Sequence, residues 1–473
     1  MNQKIKELLP SILTEKNISF LIGAGASTPF FSSLGNFEKF LTSDSIDEDG
    51  KKIIKLLFYN LSVANNMHLI EYLNNEEISH EESERKMKPI LFEYRRFLHN
   101  ILEYLKVRNS RVSPKRANIV TTNYDLFIET AIDDILKDNP RVHFNDGTNG
   151  YTRRLLHTDN FNKTLLYSGI FDNYSNEMPT INLIKCHGSV NWLTYVSDEG
   201  KKFIEVQPQG NIIKSITHEA DIILDDIGDF LFEFDYEDNF QHAIRSIDEL
   251  IEHLDEEPIE SIAEIINLLG SAFSDELTEI NNMLDKIEIV YPTKKKFEST
   301  LVNEYYFSLL RLLSYELEKE QSSLIVFGFS FYDEHITEIV QRSLNNPNLL
   351  VIIICFTDEN KDGIISNFNF TENTIPNNVK FITPNDFVVK ELDIEQYKVE
   401  YNDENLTNPN IINNEEKVKI YSDEVSFISN SASERKAVLD FNSLNTILES
   451  DITNTFDAKN LSIVETNEGD ANG

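Results

Sequence analysis

The 473-residue chain predicts an α/β fold, a doubly wound parallel sheet. Three observations predict it. Short, near-continuous apolar runs recur, as at Ile18–Ile22, Ser323–Ser330 and Leu349–Phe356. Stretches with apolar residues at three-to-four spacing separate them. Several runs end in glycine or polar residues. Strands buried on both faces read as continuous apolar runs, and parallel strands need helical crossovers between them. The expected architecture is Rossmann-like, with helical insertions at about 36–115 and 215–290 and a small C-terminal appendage.

In chain order, residues 1–15 read as a short helix and Ile18–Ile22 as the first strand. Gly23-Ala24-Gly25-Ala26-Ser27 then turns into a helix with Ser27 near its start. Such a turn brings backbone N–H groups to a phosphate, and a Cβ on either glycine would hold the phosphate off. The dinucleotide pattern G-x-G-x-x-G is incomplete, because Thr28 stands at its third glycine. From about Asn36 to Lys106 the pattern is helical, with Ile53, Ile54, Leu57 and Leu61, then Leu91, Tyr94, Leu98 and Leu102 on apolar faces. Ala117–Asp125 is a strand with a polar end, and Leu126–Leu136 a helix. Residues 139–180 show no period and predict loops and short strands. Thr180–Gly188 is a further strand with a polar end.

The interval from Glu219 to Glu288 holds about 22 Asp/Glu against about 2 Lys/Arg. Its apolar residues still recur at helical spacing, which predicts solvated helices. Apolar faces on both insertions suit homo-oligomerisation. Thr300–Glu318 is a helix, Ser323–Ser330 a buried strand, Glu334–Leu344 a helix, and Leu349–Phe356 and Val379–Thr383 the last core strands. One domain is expected over 1–390. Residues 391–473 form an acidic, Asn-rich extension with a small β element at Lys417–Ile428, a helix near Leu439–Leu448, and a disordered end from about Asp457.

Composition narrows the function. With 43 Lys+Arg against 80 Asp+Glu the formal net charge is −37. Such a surface repels phosphate backbones and anionic membranes, so direct nucleic-acid and membrane binding are disfavoured. The longest apolar run has eight residues, far short of a membrane span. The two cysteines, Cys186 and Cys355, lie in apolar runs, which suits buried thiols in a reducing, cytoplasmic compartment. They are too few for a four-cysteine zinc site, and the histidines show no ligand spacing, so no metal is expected.

Four strand ends carry polar residues: Gly23–Ser27, Thr121–Asp125, Cys186–Ser189 and Gly328–His335. Ligands of doubly wound sheets bind at the carboxyl ends of strands, so these four can line one pocket. Here the chain resembles the sirtuin superfamily. The G-A-G-x-S turn, the T-x-N-x-D segment and the H-G dipeptide match that family's NAD-binding and catalytic motifs, and the later G-x-S matches its adenosine-side strand. G-F-S-F-x-D-E-H, preceded by Tyr291-Pro-Thr-Lys294, looks most like bacterial sirtuin-like proteins of anti-phage defence. The resemblance covers roughly residues 10–385. It implies NAD as substrate and, as in some members of that group, a HerA-like hexameric ATPase as partner. The two C-x-x-C pairs of protein-deacylating sirtuins have no counterpart here. That puts peptide recognition in doubt and leaves water as the acceptor.

The expected chemistry is cleavage of the nicotinamide–ribose bond through an oxocarbenium-like centre. Asn123 suits orienting a water and a ribose hydroxyl without adding charge. His187 suits accepting a proton. Asp125 resembles the family residue that contacts the carboxamide. Gly23, Ala24, Gly25, Ser27 and Thr122 suit phosphate or ribose oxygens, and Gly328, Ser330 and Asp333 the adenosine end. Each has a plainer reading: an Asx-turn or cap for Asn123 and Asp125, a turn histidine for His187, a helix cap for Asp333, and a strand turn for Gly328. Arg153-Arg154 is either a phosphate partner or a salt-bridge pair. The expectation is an NAD glycohydrolase of abortive-infection defence. An ADP-ribosyltransferase or deacylase, and a non-catalytic nucleotide-binding scaffold for an ATPase, are the alternatives.

Overall fold

A computed structural model describes residues 12–31, 37–109, 114–168, 170–171, 175–234, 244–256, 258–290, 300–371, 374–403, 408–413, 417–431 and 434–449. Most of the expected first helix, the Tyr291–Lys294 segment and the end from Asp457 lie outside these residues.

Strand β1 (Asn17–Ile22) is followed by four helices: α1 (Phe37–Thr42), α2 (Glu48–Tyr59), α3 (Asn66–Leu73) and α4 (Glu81–Val107). Then come β2 (Arg116–Thr121), α5 (Phe127–Asp138), β3 (His143–Asn145), β4 (Thr180–Lys185), β5 (Gly188–Val196) and β6 (Lys202–Val206). The acidic interval supplies α6 (Asn211–Glu233), α7 (Ile247–Glu256), α8 (Ile259–Ala272) and α9 (Ser274–Leu284), and leads to β7 (Ile287–Ile289). The last core elements are α10 (Thr300–Glu318), β8 (Ser322–Phe327), α11 (Glu334–Ser343), β9 (Leu350–Ile354), α12 (Asp358–Asn367) and β10 (Val379–Ile382).

Seven strands form the expected parallel sheet, in the order β10-β9-β8-β1-β2-β4-β3. The chain builds outward from β1 to one side, then returns to build β8, β9 and β10 on the other. That reversal is the switch point of a doubly wound fold. Period-two alternation sorts each strand's side chains between two cores. Ile18, Phe20 and Ile22 join one face with Ile119, Ile325 and Phe327. Leu21 joins the other with Val120, Leu324 and Val326. Both faces are covered, which is why the strands read as unbroken apolar runs. A polar rung crosses the sheet in register. Asn118 Nδ2 donates to Ser19 Oγ (3.4 Å), Asn182 Nδ2 to Asn118 Oδ1 (2.8 Å), and Asn145 Nδ2 to Asn182 Oδ1 (2.9 Å). A one-residue slip would strand these amides among aliphatic side chains, so the rung fixes strand register.

The two helical insertions pack on each other. Asp47 N donates to Asn267 Oδ1 (3.0 Å), and Tyr59 OH meets Thr217 Oγ1 at 2.8 Å. Much of their apolar surface is buried within the chain, while Phe92, Ile222 and Phe232 stay exposed. The acidic helices turn Asp221, Asp225, Asp226 and Asp229 to solvent, as expected. Strands β5, β6 and β7 form an antiparallel sheet beside the main one.

The helix expected to begin near Ser27 does not form. A single 3₁₀ turn, Ala24–Ala26, follows β1, closed by Ala26 N on Gly23 O (3.1 Å) and Ser27 N on Ala24 O (3.0 Å). Pro29 disfavours α-helical backbone at Thr28, so the turn cannot propagate. Among the described residues, the first α-helix after it is α1.

Beyond 390, β11 (Val388–Asp393), β12 (Ile411–Asn413) and β13 (Lys417–Tyr421) form the small C-terminal sheet, and β14 (Ser426–Ser431) pairs with β15 (Glu434–Val438). A helix over 441–449 docks on α4. Its Phe441 ring meets Tyr94 at 4.7 Å and Phe327 at 5.3 Å, and Arg96 pairs with Glu449 at 2.9 Å. Among the described residues no helix is long and apolar enough to cross a membrane.

Candidate active site at the strand ends

The four polar strand ends fall on four adjacent strands, β8-β1-β2-β4. Asn123 and His187 each lie two residues beyond the paired positions Thr121 and Lys185. Both lie just past the ends of neighbouring strands, which a parallel sheet spaces at roughly 5 Å.

On the β1–β2 side a closed network forms. Ser27 Oγ donates to Asp125 Oδ2 (2.7 Å) and accepts from Asn123 Nδ2 (3.2 Å). Tyr94 OH lies 2.9 Å from the same oxygen, and with the serine proton given to Asp125 the phenol is the donor. Asn123 Nδ2 also donates to the Gly23 carbonyl (3.1 Å), and its backbone N–H to Thr121 Oγ1 (3.0 Å). Phe127 N–H donates to Asp125 Oδ1 (3.2 Å), which is the Asx-type turn the sequence allowed. Burial pushes the Asp125 carboxyl above its ordinary value, and the Lys185 ammonium and the Ser27 hydroxyl draw it back. One atom of the network is left over: the buried Asn123 Oδ1 has no hydrogen-bond partner.

The glycines are explained first by packing. Gly23 N donates to Phe327 O (3.0 Å) and Gly25 N to Gly328 O (3.0 Å), so the two turns at the switch point are zipped together. A Cβ on Gly23 would stand 2.3 Å from Gly328 O, and one on Gly328, at φ +66°, 2.6 Å from Ala26 N. With Ala26 and Ser27 also bonded internally, four of the N–H groups expected to cradle phosphate are occupied. Ala24, Gly25 and Ser330 are exposed, Thr122 and Gly328 half-buried.

On the β4–β8 side the arrangement is looser. His187 Nε2 lies 3.0 Å from Asp333 Oδ2, yet the approach lacks hydrogen-bond alignment. The other Asp333 oxygen accepts from His335 N (3.1 Å) and Ile336 N (3.2 Å), so the residue caps α11 and faces the imidazole at once. It thus lies beside His187. Its negative charge, added to burial, raises the Tyr124 and Tyr306 phenols and the Cys186 thiol above their ordinary values. The Tyr306 ring lies 5.8 Å from the His187 ring. The His187 carbonyl accepts from Val290 N (2.8 Å), which ties this turn to β7.

Arg154 pairs with Asp146 (2.7 Å) and Arg153 approaches Glu205 (3.6 Å), the salt-bridge reading of that pair. Cys186 and Cys355 are buried free thiols. Sequence reasoning missed Tyr94, read as one member of an apolar stripe, and Lys185. The latter carried a signal: a lone cation inside an apolar strand run. It donates to the Asp125 carbonyl and to Ser189 Oγ (2.9 Å) and pairs with Glu129 (2.7 Å).

No family model matches this chain, and no curated protein matches it.

Proposed function

We propose that the strand-end crevice cleaves the N-glycosidic bond of NAD, releasing nicotinamide and ADP-ribose. What supports this reading is that Asn123 and His187 each follow, by two residues, a paired position on adjacent parallel strands. The first offers an unpartnered amide oxygen, the second an imidazole whose nearest carboxylate is not aligned with it. The amide oxygen holds a water or a ribose hydroxyl. The water oxygen bonds to C1′ as the C1′–N bond breaks. The bonding pair leaves on the pyridine nitrogen, which becomes neutral, so the leaving group needs no acid. The proton released by the water passes to His187, whose Nε2 lies 3.0 Å from Asp333 Oδ2. Asp125 and Ser27 hold the asparagine in place.

The resemblance to defence-associated sirtuin-like proteins supports an abortive-infection role, cytoplasmic action, and restraint through a homo-oligomer or a HerA-like ATPase. The test is to incubate the full chain with NAD, alone and with such an ATPase, and measure nicotinamide and ADP-ribose. Asn123→Ala and His187→Ala should each lower release at least a hundredfold while melting as the parent does. Undiminished release in both removes the assignment. ADP-ribose found on an acceptor would favour the transferase reading, and NAD binding without release the scaffold.

A further inference from the structure

Lys185 ends β4 on the face of the sheet that carries Ile181 and Leu183, and it is 2% exposed. An ammonium in such a place loses its hydration, and only full bonding offsets the loss. It has three N–H donors, and three acceptors meet it. Glu129 Oε1, in the first turn of α5, lies at 2.7 Å and Ser189 Oγ at 2.9 Å; the third is the Asp125 carbonyl. Asp125 follows Asn123 by two residues, and Ser189 follows His187 by two. One side chain therefore grips both strand-end turns. Ser189 extends the grip. Its hydroxyl accepts from the lysine and donates to the Tyr124 carbonyl (3.4 Å), beside the backbone bond from Val190 N to the same oxygen (3.2 Å).

The charge matters as well as the reach. Asp125 accepts the Ser27 proton as a carboxylate, and Ser27 in turn accepts from Asn123 Nδ2. A carboxyl protonated on Oδ2 would donate to Ser27 instead, whose two lone pairs are already taken by Asn123 and Tyr94. Burial pushes both Asp125 and Glu129 above their ordinary values, and Lys185 draws each back. The other titratable group facing Asp125 is Tyr94 of α4, whose phenol burial holds well above its ordinary value, hence neutral. We propose that Lys185 is a positioning residue of the strand-end site: its ammonium ties the Asn123 and His187 turns to each other and faces Asp125, so that Ser27 holds the Asn123 amide in one orientation. The catalytic consequence rests on the cleavage reading above; the tie itself does not.

The test uses the full chain and the near-isosteric, uncharged Lys185→Met. Backbone hydrogen exchange should quicken about tenfold or more in residues 121–127 and 186–191 together, with β1 and β8 unchanged. Ser189→Ala cuts one of the three bonds without changing charge, and should quicken the same two segments by less while melting as the parent does. With NAD, Lys185→Met should lower kcat about a hundredfold. That deficit should deepen from about pH 8 to about pH 6, because Asp125 without its cation takes up a proton more readily. Exchange unchanged in either segment of Lys185→Met, or quickened equally in β1 and β8, overturns the tie. Should Lys185→Met not fold, unchanged exchange in Ser189→Ala overturns it. A deficit equal at both pH values overturns the role of the charge. No nicotinamide from the parent chain removes the cleavage reading, and the exchange measurement still decides the tie.

Discussion

The two flanks of the strand-end crevice are built from similar residues and finished differently. On the Asn123 flank, Ser27 uses its one donor and both acceptor positions, on Asp125, Asn123 and Tyr94. On the His187 flank a carboxylate and an imidazole stand 3.0 Å apart without aligning. The first flank is held by its side-chain bonds, with Asn123 Oδ1 alone left over. The second is held by its backbone: the His187 carbonyl bonded to Val290 and Asp333 fixed as a helix cap. Buried polar networks specify geometry only when complete, and incompleteness is tolerated where a ligand or a proton finishes the set. The contrast separates a flank held by side-chain bonds from one held by its backbone.

The contrast can be broken by substitution. The largest effect is expected from Asp125→Ala, which orphans the Ser27 hydroxyl and the Phe127 N–H. Two unsatisfied buried donors should cost about 4 kcal/mol in urea unfolding. A loss below about 1 kcal/mol would mean the network is not the anchor of its flank. Next is Glu288, whose backbone carbonyl packs under Gly188 and whose carboxyl is pushed up to about 7 by burial. Its folded value stands above the ordinary 4.5, so the stability it allows is full below about pH 4.5 and lost as pH rises to about 7. Glu288→Gln should raise stability at pH 8 by up to about 3 kcal/mol and change it little at pH 4. Equal gains at both pH values would remove the carboxyl as the cause.

Smaller is Asp333→Ala, which removes the cap of α11 and should cost about 1 kcal/mol in thermal unfolding. A cost matching that of Asp125→Ala would erase the contrast between the flanks. Smallest is Ser330→Ala. Its side chain is exposed and should matter to stability by less than about 0.5 kcal/mol, so any change in NAD affinity there reads directly as lost contact.

Six of the seven strands were legible because their runs are largely apolar and mostly buried, while the short, half-buried edge strand β3 was not. The convergence of the polar strand ends was legible for a related reason: parallel strands all end on one side. The path after Ser27 was not legible, because the glycine turn and the Pro29 restriction compete and the turn's own i-to-i+3 bonds won. Tyr94 left no trace, since a phenol on an apolar helix face looks like core until its hydroxyl finds Ser27. The Ser19–Asn118–Asn182–Asn145 rung was hidden for the opposite reason. Its members lie far apart in sequence and each reads as a lone polar interruption of a strand. The packing of one insertion against the other was equally hidden, because an amphipathic face declares that it is covered, not by what.

The docking of 441–449 on α4 has a consequence for how the protein is made. Asn445 bonds the Glu93 carbonyl across 352 positions of chain, and Phe441 braces the tyrosine that holds Ser27. Synthesis proceeds at about 5–20 residues per second and earlier parts fold first. A growing polypeptide therefore carries every strand of the sheet for many seconds before the brace behind Tyr94 exists. A truncated translation product ending before Phe441 would keep the motifs and lack the wedge that sets them.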